Sequence, residues 1–436
     1  MSKVKLIKLA KKIKNFTTGV DTTPYISYAR RINYVKTSAR VCAMTFDDGP
    51  MRLPKHNATD NTPLTLTLLE ILEKHNAHGT FDVIGSTKAN YPDTEGKIGT
   101  PSWSGNSYDH YPSFSMDDFG GAENCPDLIE RILSGGHQIT NHTYSHTLYS
   151  KKNFIYSDRV TLNSFHKAYD DFEKLDSLLF EKHNYKMSFS RPPHYVDKIC
   201  KGITAYDLYS FKNYNYLGAS FDGAGWLPCK TYDEELDAMV SPLENALKND
   251  PNALCGQIIF QKDGYNMSLR TPIADALDKQ LEILDYYGYK VVTVDELVRT
   301  YPFSDVDEYD DDFNLFSSLS KKYPIVFSDN CIRPDTPMTV GELLMLVSPK
   351  KYSVDKRIEA VIKREKPCGH ITPYNKYYGA ALYAKEQNLL TINSKQQLKK
   401  NVTFSDFENL KAFFDISTLK NTDLTRRNII KALKLN

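Results

Sequence analysis

From about residue 38 the chain alternates short apolar runs rich in β-branched residues with longer stretches whose apolar positions recur every three or four residues. Val41 to Phe46, Gly79 to Ile84, His137 to Thr140, Ser188 to Arg191, Leu217 to Phe221, Gln257 to Phe260 and Tyr289 to Thr293 are the predicted strands. Between them, Pro63 to His75, Pro126 to Ser134, Leu162 to Lys182, Asp233 to Lys248 and Pro272 to Tyr287 carry helical spacing. A repeated strand–helix rhythm predicts an α/β fold with a parallel sheet, closed into a barrel of βα units. The rhythm breaks at Ser86 to Asn124, where Gly, Ser, Asp and Pro surround Trp103, Tyr108 and Tyr111, and so long a loop is expected to face substrate.

The rhythm stops near residue 303 at an acidic run, Asp305, Asp307, Glu308 and Asp310 to Asp312, which repels itself and is expected to be a solvated boundary. It lacks the sixth-position glycine and terminal glutamate of an EF-hand, so no calcium site is assigned. Beyond it the chain reads as mostly helical, with helix-start signatures at Thr339 to Glu342, Thr403 to Asp406 and Thr425 to Asn428. The expected division is a basic lead-in over 1–37, a strand–helix domain over 38–302 and a helical accessory domain over 303–436. In the lead-in, Leu6, Leu9, Ala10, Ile13 and Phe16 share one face among six lysines, which would suit peripheral contact of residues 1–16 with an anionic membrane.

Composition narrows the function classes. Lys plus Arg number 55 against 54 acids, which gives no electrostatic reason for a nucleic-acid partner. No apolar run approaches the roughly 18 residues of a membrane span. The seven cysteines form no C-x-x-C pair and read as reduced thiols, and no signal-peptide core is visible. These features leave the location open, inclining to the cytoplasmic side, free or peripheral at the membrane, with the cell envelope as the alternative.

Two clusters carry candidate chemistry. Asp47-Asp48 ends the first strand before a Gly49-Pro50 turn, at the carboxyl end where parallel barrels place their active sites. A third strand runs out into Asn141-His142-Thr143-Tyr144-Ser145-His146, with two imidazoles four residues apart, a spacing that on one helical turn puts both on the same face. Two histidines with Asp48 make a three-ligand set that leaves positions open for water and substrate, the pattern of catalytic zinc.

Thr45-Phe46-Asp47-Asp48-Gly49-Pro50, the His142 to His146 block and Arg191-Pro192-Pro193 together resemble the first three motifs of the NodB-type polysaccharide deacetylases, carbohydrate esterase family four. Over about residues 38–300 the resemblance implies a distorted (β/α)7 barrel, a divalent metal, most often Zn2+, and removal of acetyl groups from an acetylated polysaccharide or oligosaccharide. Carried onto this chain, it implies Asp48, His142 and His146 as metal ligands and Asp47 as the base that takes a proton from the attacking water. Arg191 would orient Asp47, the backbone N–H after Pro193 would face the oxyanion, and Asp222 with Trp226 would wall the acetyl pocket.

Three positions depart from the family's pattern. Gly225 stands where a second aspartate usually precedes the tryptophan, and His194, followed by Tyr195, stands where a tyrosine is usual. Gln261 is read at the place of the general-acid histidine, and a glutamine gives up no proton. His194 is therefore a candidate substitute acid, and two alternatives follow: an O-acetyl esterase, whose leaving group needs an acid least, or a binder of acetylated glycan without turnover. In the last 134 residues Phe303-Ser304-Asp305-Val306, Thr339 to Glu342 and Tyr378 to Ala384 resemble blocks of S-layer homology repeats, with Val340 where that family's arginine is usual and Thr425-Arg426-Arg427 keeping a basic residue there.

Overall fold

The computed structural model describes residues 23–90, 118–152, 160–266, 268–420 and 423–434. The basic segment 1–16 and the aromatic positions 103, 108 and 111 lie outside them. Among the described residues two compact units emerge: one within 32–199 and 216–302, the other within 23–31, 200–215 and 303–434. Residues 200–215 thus join the carboxyl-terminal unit, although they lie inside the catalytic stretch expected from sequence.

The first unit is built on a parallel sheet. Its strands are β1 (Arg31–Ile32), β2 (Val41–Asp47), β3 (Thr80–Val83), β4 (Gln138–Asn141), β5 (Phe189–Ser190), β8 (Asn215–Leu217), β9 (Phe221–Asp222), β10 (Ile258–Lys262) and β11 (Lys290–Val292); β6 (Lys198–Cys200) and β7 (Ile203–Thr204) lie outside this sheet. The order is β1-β8-β5-β4-β3-β2-β10-β9, and β11 lies beside the start of β2. Strands β2 to β5, β9, β10 and β11 pair in parallel.

The predicted strand Leu217 to Phe221 is in fact two strands. Gly218, Ala219 and Ser220 separate β8 near one end of the sheet from β9 at the other, with the Gly218 N–H donating to Ile32 and the Ser220 N–H to Ile258. Three residues span little more than 10 Å, so the two ends of the sheet must approach each other and the sheet curls. Helices α1 (Leu64–Lys74), α2 (Pro126–Ser134), α3 (Phe165–His183), α4 (Tyr232–Asn249) and α5 (Ile273–Tyr286) lie within a few residues of their expected spans. On α1, Leu64, Leu68 and Leu72 fall at i, i+4 and i+8 and are buried, while Cys42 to Phe46 of β2 are all fully buried, as a parallel strand covered on both faces requires.

The carboxyl-terminal unit has its own apolar core, including Phe303, Phe316, Leu343, Leu344, Phe407 and Ile429. All three expected helix starts are present. Thr339 and Thr403 form reciprocal capping boxes with Glu342 and Asp406, and Thr425 accepts the Asn428 N–H. The acidic run is not a solvated linker. Asp310 and Asp312 pair with Arg427, and Asp305 accepts the N–H groups of Ile332 and Arg333, because this unit places cations and unpaired amides against it. Residues 200–215 are tied in by Asp207, which is buried against Arg357 and lies 2.9 Å from Lys376 Nζ.

Burial would raise the Asp207 carboxyl, but Arg357 and Lys376 outweigh it and hold the group at about 2. A depressed acid contributes stability that is complete above its unfolded value near 4 and is lost as pH falls toward 2. Asp207→Asn is expected to cost about 2–3 kcal/mol at pH 7. In calorimetry the gap in melting temperature from the parent should close as pH is lowered from 4 to 2.

Candidate metal and hydrolytic centre

At the carboxyl ends of β2, β3, β4, β5 and β10, charged side chains are packed out of solvent. Asp47, Asp48, Asp82, His142, His146, Arg191 and Lys262 are each buried. Oδ1 of Asp48 lies 3.1 Å from His142 Nε2 and 3.2 Å from His146 Nε2. A tetrahedral zinc with ligands at about 2.0–2.1 Å sets its donors about 3.3 Å apart, so these three atoms fit one small divalent ion. Asp48 has a positive φ of 80°, a conformation costly for a non-glycine residue and found mostly where function demands a side-chain direction.

The histidines do not reach this arrangement by a helical turn, as their spacing suggested. Residues 142–146 form an irregular loop after β4 in which Thr143 (φ 71°) and His146 (φ 51°) are both left-handed. That loop folds the rings to a centroid separation of 4.9 Å. His142 Nδ1 lies 2.8 Å from Asp82 Oδ2 and 2.8 Å from the Arg191 carbonyl, which turns Nε2 toward Asp48. Burial alone would lower the His142 pKa, but the Asp82, Asp48 and Asp47 carboxylates raise it well above its ordinary value.

Asp47 is held by Arg191, whose guanidinium also donates to Thr45 Oγ1, Leu217 O and Gly218 O, so every N–H of the fork is engaged. Burial, joined by Asp82, outweighs the pull of Arg191 and holds the Asp47 carboxyl at about 6. Gly49, just after the pair of aspartates, admits no side chain, since a Cβ there would stand 2.0 Å from Asp263 Oδ2.

His194 joins the cluster, its ring centroid 5.2 Å from that of His146. It is left-handed (φ 53°) within the one-turn 3-10 helix Pro193–Tyr195, where Pro193 is buried and the Tyr195 and Val196 N–H groups close back on Pro192 and Pro193. The Tyr195 ring lies 5.2 Å from the Arg191 guanidinium. Asp222 and Trp226 pair with each other, indole N–H to carboxylate at 3.1 Å, and Trp226 is 41% exposed.

Gln261 is not at the centre. In β10 it is in register with Phe46 and donates to Gln280 on α5, whereas Lys262, in register with Asp47, faces inward and ion-pairs with Asp48. Strand alternation explains the correction, because one residue along a strand reverses the face. Lys262 and Asp82 are thus functional candidates that motif reading missed. The signal for Lys262 was the period of two along Ile258-Ile259-Phe260-Gln261-Lys262; Asp82, inside an apolar strand, announced itself only as a charge where burial was expected.

Residues 34–196 match the family model for polysaccharide deacetylase. The matched stretch contains Asp47, Asp48, His142, His146, Arg191 and His194. Among curated relatives, the chain is 25% identical over 263 residues to peptidoglycan-N-acetylmuramic acid deacetylase PdaC of Bacillus subtilis, covering 60% of this chain and 40% of that protein. It is 24% identical over 261 residues to a peptidoglycan-N-acetylglucosamine deacetylase of Bacillus cereus, covering 59% and 68%. The chain therefore spans well under half the length of the first of these relatives. Among solved structures, a peptidoglycan N-acetylglucosamine deacetylase aligns with a TM-score of 0.40 at 22% identity, covering 61% of this chain and 91% of that one.

Proposed function

We propose that the deacetylase domain is a metal-dependent hydrolase that removes acetyl groups from amino sugars of a peptidoglycan-type glycan. The observation that carries this is the convergence of Asp48 Oδ1, His142 Nε2 and His146 Nε2 beside a separate carboxylate, Asp47, held by a buried arginine. The two peptidoglycan deacetylases of Bacillus subtilis and Bacillus cereus that the chain resembles support the substrate class.

Asp48, His142 and His146 would hold the ion, which when bound supplies a Lewis acid that polarises the acetyl carbonyl and acidifies water. Asp47 is the base that receives the water proton, and Arg191 fixes which oxygen it presents. His194, next to His146, is placed to return a proton to the leaving amine. Gln261 donates to Gln280 on α5 and β10 carries no histidine, so an O-acetyl esterase and a binder without turnover stay the alternatives to this reading. The carboxyl-terminal unit is read as a helical accessory domain.

Acetate release from N-acetylated peptidoglycan fragments, beside an O-acetyl ester, tests the reading. Release from the fragments should stop on chelation and return with Zn2+. Release from the ester alone would make the protein an esterase, and release from neither by zinc-loaded protein would sink hydrolysis altogether.

A further inference from the structure

The two oxygens of Asp48 are divided between different partners. Oδ1 faces both histidines, at 3.1 and 3.2 Å, while Oδ2 takes the ammonium of Lys262. Both side chains are buried, Lys262 to 2% and Asp48 to 8% of their full exposure. Lys262 is the last residue of β10, in register with Asp47, and Phe260 two residues before it lies against Arg191, so the strand's inward face delivers the ammonium to the centre. Each of the adjacent carboxylates therefore has a buried cation of its own: Arg191 for Asp47 and Lys262 for Asp48.

We infer that Lys262 is a positioning residue that limits Asp48 to one-oxygen coordination and loosens the hold on a divalent ion. This rests on the metal-binding reading of Asp48, His142 and His146. A carboxylate free to turn gives an ion both oxygens and fills a position that water or substrate needs. With Oδ2 engaged by an ammonium, only Oδ1 is offered, and that oxygen is a poorer donor because charge is drawn toward Lys262. The ammonium also repels a dication a few ångströms away in a site with little solvent to screen it. Losing one hydrogen bond to a ligand ordinarily weakens metal binding, but here the same change removes a full positive charge facing two more, and the charge term is the larger.

The test is titration of metal-free full-length protein with Co2+ and Zn2+, comparing parent, Lys262→Met, Lys262→Gln and Lys262→Arg. The Met and Gln variants are expected to bind at least about tenfold more tightly, while Arg, which keeps the charge and a donor, stays within about threefold of the parent. Gln keeps an N–H for Asp48 and serves if Met does not fold. The Co2+ visible bands should weaken in Met, which frees both Asp48 oxygens and raises the coordination number, and less in Gln, which keeps a donor on Oδ2, a signature that a purely structural role would leave unchanged. Unchanged or weaker binding in both variants, with the parent binding metal, overturns the role of Lys262 alone. Absence of binding in every protein overturns this inference together with the metal centre.

Discussion

Replacing Asp48 by alanine is expected to remove divalent-metal binding and acetate release together. The substitution deletes the oxygen on which His142 and His146 converge and leaves two imidazoles, too few donors for a catalytic site of the three-ligand type. Affinity should fall by more than about a hundredfold, since loss of even an outer partner of a ligand costs about 10- to 100-fold. Turnover should fall by about a thousandfold or more, roughly 4 kcal/mol of barrier. Asp47→Asn is the informative contrast. It keeps all three donors and so should bind metal normally, yet it removes the proton acceptor and should lose about 10²- to 10⁴-fold in rate. Calorimetric metal titration with an acetate assay separates the two, and an active Asp47→Asn protein would exclude Asp47 as the base.

Arg191→Met is expected to have the largest effect on stability. Arg191 is fully buried, and its five donors serve Asp47, Thr45, Leu217 O and Gly218 O, so one side chain ties β2 to the segment that joins the two ends of the curled sheet. Methionine fills much of the volume but leaves the Asp47 carboxylate buried without a counter-charge, at a cost of about 3–5 kcal/mol. Lysine is no full substitute, because a point charge does not reach four acceptors at once. Urea unfolding of Arg191→Met, Asp47→Asn and the double variant checks the cause. If the uncompensated charge dominates, the double variant is more stable than Arg191→Met alone; additive losses would assign the effect to packing instead.

The strand–helix rhythm, the pairing of Asp47 with Asp48 at a strand's end, and the His142 to His146 block were all legible in the chain. The reason is that burial on both sheet faces demands unbroken apolar strands, and chemistry at their carboxyl ends leaves polar residues where the apolar run stops. The same logic failed where a decision turned on one residue. Leu217 to Phe221 is apolar enough for one strand, and only the need to join opposite ends of the sheet breaks it at Gly218. Gln261 and Lys262 are adjacent polar residues ending an apolar run, and only the register of β10 on β2 decides which one faces Asp48.

What the sequence determined by itself is the class of fold and the set of residue types able to hold an ion and move a proton, because both are written in local patterns of polarity and spacing. Tertiary structure alone decided how those side chains meet. Left-handed residues at Thr143 and His146 replace the helical turn that spacing suggested, and left-handed Asp48 and His194 lie in other loops. Asp82 and Lys262 arrive from β3 and β10 to hold His142 and Asp48. Partners separated by 60 to 214 residues leave no mark on local periodicity, since what selects them is the energy of burying charges together, which exists only once the sheet has curled.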